Sequence, residues 1–200
     1  KAAEMRALIT GASGGIGRAL AQELHGRGAS VLLVGRNVQA LEHAVQALGG
    51  RSARVDWCAA DLATVAGRAR VVEAANHWGG GVNVLVNSAG LGDFGMLDEL
   101  DDAAIERLFA INAVAPMQMT RALLPTLRSQ PMSAILNIGS VFGSLGYPGF
   151  TAYSATKFAL RGFTEALRRE LADSKIGVHY FAPRATKTGM NASAVDRMNA

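Results

Sequence analysis

A doubly wound parallel α/β sheet with helices on both faces is the fold class that this sequence predicts. Short apolar, β-branched runs alternate with longer amphipathic stretches along the chain, which is the rhythm of a parallel sheet built from β-α-β units. A glycine-rich turn joins the first strand to the first helix. Half of the 200 residues are hydrophobic and 18% are charged, which supports a sizeable core in one domain over residues 1–200. The right-handed crossover of such units makes double winding the default.

Taken in order, the apolar runs place strands at residues 7–9, 31–34, 54–59, 82–86, 134–138 and 178–182. Between them the spacing predicts helices at 16–27, 38–48, 64–78, 101–128 and 153–174. Gly79, Gly80 and Gly81 stand between a helix and a strand, where a C-cap and turn are expected. Asp101 suits the N-cap of the long fourth helix, and Pro116 is expected to bend or interrupt it. No repeat, low-complexity tract or linker divides the chain.

The formal charge of +4 is spread along the sequence, and its densest cluster, Arg161, Arg168 and Arg169, is interrupted by Glu165 and Glu170. That pattern excludes a nucleic-acid-binding stripe and leaves a solvated surface with some attraction for anionic ligands such as nucleotides. No apolar run approaches a membrane span and no signal-peptide pattern opens the chain, so a cytoplasmic protein without a membrane partner is expected. The chain opens on Lys1, with Met5 following, and the natural start is expected to lie elsewhere. Cys58 is the single cysteine and reads as a small core residue. His25, His43, His77 and His179 show no metal-ligand spacing, and no metal is expected.

The first strand runs into Thr10-Gly11-Ala12-Ser13-Gly14-Gly15-Ile16-Gly17. Gly11 permits the tight turn, Gly15 lets the backbone approach a pyrophosphate, and Gly17 allows close packing of helix on strand. Unpaired amides of the following helical turn, with Ser13 and Ile16 beside them, then face an anion. After the second strand Gly35 stands where selectivity for the unphosphorylated dinucleotide calls for a carboxylate, and Arg36 follows it. An arginine there favours a 2′-phosphate, so NADP(H) is preferred over NAD(H). A lone arginine at a strand end also reads as a snorkelling surface residue. Asp61 and Leu62 follow the third strand, and Asn87, Ser88, Ala89 and Gly90 follow the fourth, so all three turns address one crevice at the carboxyl edge. Asp61 doubles as a candidate helix N-cap.

A second centre is Tyr153-Ser-Ala-Thr-Lys157. At i and i+4 the two side chains share a helix face, which brings the ammonium near the phenol. A phenol of pKa about 10 is a poor acid–base group at neutral pH, and a nearby cation lowers it toward the working range. Taken alone such a pair is an ordinary surface feature. Ser140, at the end of the fifth strand, brings a hydroxyl to the same crevice.

With these motifs in this order, the chain resembles the short-chain dehydrogenase/reductase family, in the branch with Thr-Gly-x-x-x-Gly-x-Gly and Tyr-x-x-x-Lys. The resemblance covers almost the whole chain: Gly11, Gly15, Gly17, Asp61, the turn from Asn87 to Gly90, Asn112, Ser140, Tyr153 and Lys157. It implies a Rossmann-type domain and an NADP-dependent oxidoreductase. It makes Tyr153 the acid–base on the substrate oxygen, with Ser140 hydrogen-bonding that oxygen. Lys157 would lower the phenol pKa and bind the nicotinamide ribose, and Asn112 would hold a water that relays protons to Lys157. It also implies a homodimer or homotetramer with the helices at 101–128 and 153–174 in the interface. On its residues alone, Asn112 reads equally as a hydrogen-bonded residue in a bent helix.

Two departures stand out. The family commonly has Pro-Gly-x-x-x-Thr after the sixth strand; here Pro183 is followed by Arg184, and Thr188 keeps the position that bonds the nicotinamide carboxamide. The chain stops at Ala200, where the family continues through a substrate-covering helix and a seventh strand, so either part of the substrate site lies outside the sequence or the protein is unusually short. What remains of the pocket is Leu91 to Met96 and Val141 to Phe150. Phe94, Phe142, Leu145, Tyr147 and Phe150 would form an apolar wall suited to an apolar ketone or secondary alcohol. The same aromatics also read as packing or subunit contacts. Reduction is the expected direction, with an acyl-carrier-bound 3-oxo ester as one candidate substrate.

Two hydrolase patterns also occur. Gly11-x-Ser13-x-Gly15 imitates a nucleophile elbow, but the late histidine it needs, His179, falls inside a predicted strand. Ser154-x-x-Lys157 with Lys187-Thr188-Gly189 imitates the penicillin-recognising enzymes, without the Ser-Asp-Asn element. The rival from another class is a catalytically silent nucleotide-binding sensor or partner protein on the same fold. The retained Asn-Ser-Tyr-Lys set speaks against it.

Overall fold

The computed structural model describes residues 4–184. The predicted strands form with small shifts at their ends: β1 Arg6–Thr10, β2 Ser30–Gly35, β3 Val55–Ala59, β4 Val84–Asn87, β5 Ser133–Ile138 and β6 Ile176–Phe181. All neighbours pair in parallel in the order β3-β2-β1-β4-β5-β6. The order reverses between β1 and β4, and in such sheets ligands collect in the crevice at that point.

Three predicted helices form close to expectation, as α1 Gly15–Gly26, α2 Val38–Gln46 and α3 Val65–His77. The long fourth helix does not form as one piece. It divides into α4 Asp102–Phe109, a π-helical segment Ala110–Val114 and α5 Ala115–Arg128. The interruption therefore precedes Pro116, which lies in the first turn of α5. Pro116 has no N–H to give the carbonyl of Asn112, its i−4 partner, and the ladder widens over the turn before it. Asp101 caps α4 as expected, accepting from the Ala104 N–H at 2.7 Å. The last helix, α6, covers Thr151–Glu170 and starts earlier than predicted.

Alternate strand residues feed two apolar clusters, one on each face of the sheet. On one face Leu8, Leu85 and Ile135 pack with Val71 of α3, Met119, Leu123 and Leu127 of α5 and Leu167 of α6. On the other, Ala7, Ile9, Val31 and Leu33 pack with Ala21 of α1 and Leu41 and Val45 of α2. Each fully buried leucine stabilises by about 1.5–3 kcal/mol. This burial fixes the helix positions, and with them the turns at the carboxyl edge.

The turn before α3 shows how tight that edge is. Thr64 is the N-cap, its hydroxyl accepting from Gly67 N–H at 3.0 Å, so Asp61 does not fill the N-cap role the sequence allowed it. A Cβ on Gly67 would strike the carbonyl oxygen of Asp61. Alanine ordinarily favours a helix over glycine by about 1 kcal/mol. Here Gly67→Ala is expected to reverse that sign and destabilise by about 2 kcal/mol, lowering the melting temperature by roughly 4–8 °C. Thermal unfolding of the variant beside the parent checks it, and a rise would refute the packing argument.

Candidate active site

The crevice begins where β1 and β4 end. Gly11 takes φ +67, and a Cβ on it would lie 2.7 Å from the Ala89 Cα, so the two turns touch only because residue 11 has no side chain. The Thr10 hydroxyl accepts from the N–H groups of Ser88 and Ala89, both at 3.0 Å, and so holds the second turn against the first. Gly17 lies under the Gly11 carbonyl, where a Cβ would strike it; the close packing expected against the strand is made to the turn itself. Gly15 has φ +55.

Among the first four helices, α2, α3 and α4 are capped by the side chains of Asn37, Thr64 and Asp101. Helix α1 has Gly14 as its N-cap, with no side-chain cap and no acidic residue in its first turn. Its leading amides, with Ser13, Gly15, Ile16 and Gly17 around them, are therefore left for a negative ligand. A cradle of amides walled by glycines fits the pyrophosphate of a dinucleotide.

Toward the β3 side, a Cβ on Gly35 would press on the Ser13 hydroxyl at 2.9 Å. Arg36 is exposed beyond it. Asp61 accepts from Ala63 N–H at 3.0 Å and pairs with Arg107 at 3.3 Å. The Ala63 N–H does most to hold its carboxyl below the ordinary range, with Arg107 and Arg36 adding to it. Leu62 is buried in the core, and its carbonyl accepts from Arg68. Asn87 donates to Asn137 at 2.8 Å.

On the other side stands α6. Lys157 is 5% exposed, and its ammonium donates to the Ile138 carbonyl at 3.2 Å and lies 5.6 Å from the centroid of the Tyr153 ring. Burial lowers its pKa to about 8. Burial also raises the Tyr153 phenol above its ordinary value; the Ser140 hydroxyl pulls it back, and Tyr180 adds to the rise. The expected lowering of the phenol by Lys157 is therefore not what governs it here: the ammonium sits over the ring face, and desolvation dominates both groups. Ser140 lies beyond the end of β5, and its Oγ accepts from Phe142 N–H at 3.2 Å.

Asn112, fully buried in the π-helical segment, uses its side chain on protein groups. Nδ2 donates to the Leu91 carbonyl at 2.8 Å and to Thr156 Oγ1 at 3.1 Å, while Oδ1 accepts from Leu91 N–H at 2.8 Å. It clamps the chain after β4 to α6, and Gly90 leaves the gap between it and Lys157. Phe94, Phe142, Tyr147, Phe150 and Tyr153 form one connected ring cluster with centroids 4.8–6.3 Å apart. The predicted wall thus packs directly against the Tyr153 ring, with Leu145 exposed at its rim. Thr188 lies outside the described residues.

Sequence reasoning missed Thr10, Thr156, Tyr180 and the buried chain in which Asn137 Nδ2 donates to Thr164 Oγ1 at 2.9 Å. Each works through a partner distant in sequence, and the spacing of Tyr153, Lys157 and Thr164 on one helix stripe was the available signal for the last. His179 lies within β6, as the argument against a hydrolase requires. Among the described residues no cluster of His, Cys, Asp and Glu could hold a metal, and no helix is long and apolar enough to cross a membrane.

The short chain dehydrogenase family matches residues 5–199. The chain belongs to that family. Nodulation protein G of Rhizobium sp. (strain N33) is 35% identical over 194 residues, which cover 97% of this chain and 76% of that protein. Among solved structures, a short-chain dehydrogenase from Sphingobium yanoikuyae in complex with NADPH is similar at a TM-score of 0.87 and 32% identity, over 96% of this chain and 75% of that one. A short chain dehydrogenase/reductase from Burkholderia phymatum in complex with NAD gives 0.89 and 28%, over 98% and 70%. The chain spans 59%, 60% and 56% of three other curated relatives. These matches place it in a family of NAD(P)-dependent oxidoreductases.

In this short chain dehydrogenase the buried ammonium has a measurable signature. The folded-state pKa of Lys157, about 8, lies below the ordinary lysine value of 10.5, so the fold binds fewer protons than the unfolded chain between them. Its cost, about 3 kcal/mol, is present in full below the folded value and fades as pH rises toward the unfolded one. Lys157→Met is expected to melt above the parent near neutral pH, with the gap closing as pH rises through that window. Melting curves at a series of pH values decide it; a gap independent of pH would refute the assignment.

Proposed function

We propose that this protein is an NADP(H)-dependent oxidoreductase that reduces an apolar ketone to a secondary alcohol. The observation that carries the reading is the convergence of the Ser140 hydroxyl, the Tyr153 phenol and the buried Lys157 ammonium beside an aromatic wall, at the edge where the uncapped α1 amides wait for an anion.

The amides around Ser13, Gly15, Ile16 and Gly17 would hold the pyrophosphate, Asp61 and Leu62 would border the adenine, and Asn87, Ala89 and Gly90 would line the path toward the nicotinamide. Arg36 would pair with the 2′-phosphate, which sets the preference for NADP(H). Lys157 would hold the nicotinamide ribose, and Thr188 the carboxamide. When bound, the cofactor supplies a hydride to the carbonyl carbon.

The remaining work belongs to the chain. Ser140 donates to the carbonyl oxygen and fixes it at the phenol. Tyr153 gives its proton to that oxygen as charge develops there, so one hydride and one proton complete the alcohol. Burial keeps the phenol protonated, the form from which reduction draws its proton, and the Ser140 hydroxyl partly offsets the rise in pKa that would weaken it as an acid. Lys157 would return the proton, relayed from solvent by a water held at Asn112, whose side chain ties Leu91 to Thr156 beside Lys157. The ring cluster of Phe94, Phe142, Tyr147 and Phe150 favours an apolar substrate. The family resemblance implies assembly as a homodimer or homotetramer through the long helices, and Phe158 of α6 is exposed on one of them.

Tyr153→Phe keeps the ring packing and removes the proton. It is expected to lower kcat on an aryl ketone such as β-tetralone by at least about 100-fold while NADPH binding persists. Unchanged turnover would overturn the catalytic assignment of Tyr153, and NADPH binding without turnover in the parent would favour a silent nucleotide sensor. In fluorescence titrations NADPH is expected to bind more tightly than NADH, and Arg36→Ala to weaken NADPH alone by about 10-fold or more. Equal loss for both nucleotides would remove Arg36 from the 2′-phosphate site.

A further inference from the structure

The backbone of Ser140 leaves the sheet before its polar groups are paired. Gly139 still donates to the Phe181 carbonyl at 2.7 Å, the last rung between β5 and β6. The next residue, Ser140, has no strand partner: its C=O accepts from Gly143 N–H at 3.0 Å, and its N–H turns to a side chain. Ser140 N–H donates to the Tyr180 hydroxyl at 3.4 Å, and that hydroxyl donates to the Ser140 carbonyl at 3.4 Å.

Tyr180 projects from β6, where it is paired with Asn137, and its ring passes beneath the Ser140 loop. A Cβ on Gly139 would strike the Tyr180 ring, and one on Gly143 would strike its hydroxyl as well as crowd the Lys157 carbonyl at 2.9 Å. Neither glycine has a positive φ, so backbone conformation does not call for glycine at either place. The phenol does. Gly139, Gly143 and Tyr180 are one steric unit, built so that a tyrosine fits under the loop that carries Ser140. The far end of that loop has its own anchor, with Arg161 donating to Ser144 Oγ at 2.6 Å.

We infer that Tyr180 is a positioning residue for the reaction: by pairing the Ser140 N–H, and sharing the Ser140 carbonyl with Gly143 N–H, it fixes the direction of the Ser140 hydroxyl toward the substrate oxygen. The inference rests on the catalytic reading of Ser140 and Tyr153 given above. A hydroxyl that must meet a developing charge is worth most when it needs no reorganisation.

The test is a double-mutant cycle in the full chain, with β-tetralone and NADPH as probes. Tyr180→Phe keeps the ring under the loop and removes only the hydroxyl. It is expected to lower kcat by about 10-fold, the worth of about one net hydrogen bond, with the NADPH dissociation constant changed by less than about twofold. In the Ser140→Ala background the same change is expected to cost less than about twofold, because the group it positions is gone. Equal losses in both backgrounds, or no loss in the parent, would overturn the inference. So would loss of NADPH binding or melting temperature in Tyr180→Phe, which would make its role general to the fold. Full activity in Ser140→Ala, read with Tyr180 intact, would instead overturn the catalytic reading beneath it.

Discussion

Two turns at the carboxyl edge of the sheet can touch because residue 11 carries no side chain, and the site depends on that contact. With Gly11 against Ala89, the ends of β1 and β4 close one wall of the crevice, and the Thr10 hydroxyl locks it by taking two amides of the opposing turn. The same turn seats Gly17, which draws α1 in until its uncapped amides open into the crevice. A side chain at position 11 would separate the turns and move the anion site away from the groups on α6.

The opposite wall is positioned by polar contacts. Asn87 is bonded to Asn137, Asn137 to Thr164, and Thr164 to the Leu160 carbonyl, so a buried chain runs from β4 through β5 to α6. Asn112 adds a second tie, from the segment after β4 to Thr156, one residue before Lys157. Apolar packing tolerates small slides of a helix over a sheet; directional bonds between buried side chains do not. The helix bearing Tyr153 and Lys157 is thereby held in register with the strands that end at the crevice, while the ring cluster sets the tilt of the phenol.

Much of this was legible in the sequence. The alternation of β-branched runs and helical stretches gave all six strands to within two residues, because a strand buried on both faces leaves a continuous apolar signature. The glycine turn, Ser140, Tyr153 and Lys157 stood out because local spacing alone brings them toward one edge. Pro116 announced the interruption of the long helix but not its place, because the ladder yields in the turn upstream of the proline. Asp61 and Thr64 both suit an N-cap, and Gly67 at the third helical position decides between them only in three dimensions. Tyr180 was invisible because its partners, Gly139 and Gly143, lie on another element, and a glycine in a loop invites a backbone explanation first. The phenol and ammonium were expected to adjust each other, whereas burial acts on both before either acts on the other.

Lys157 also bears on how freely this protein can change. Domains of this kind hold about 5–15 kcal/mol of net stability, and an ammonium kept in an apolar surrounding takes about 3 kcal/mol of it. Most substitutions destabilise by about 0.5–3 kcal/mol. The chain therefore has room for fewer of them than the same fold without that buried charge, and a cavity at Leu8, Leu85 or Ile135 would be borne by a narrower margin.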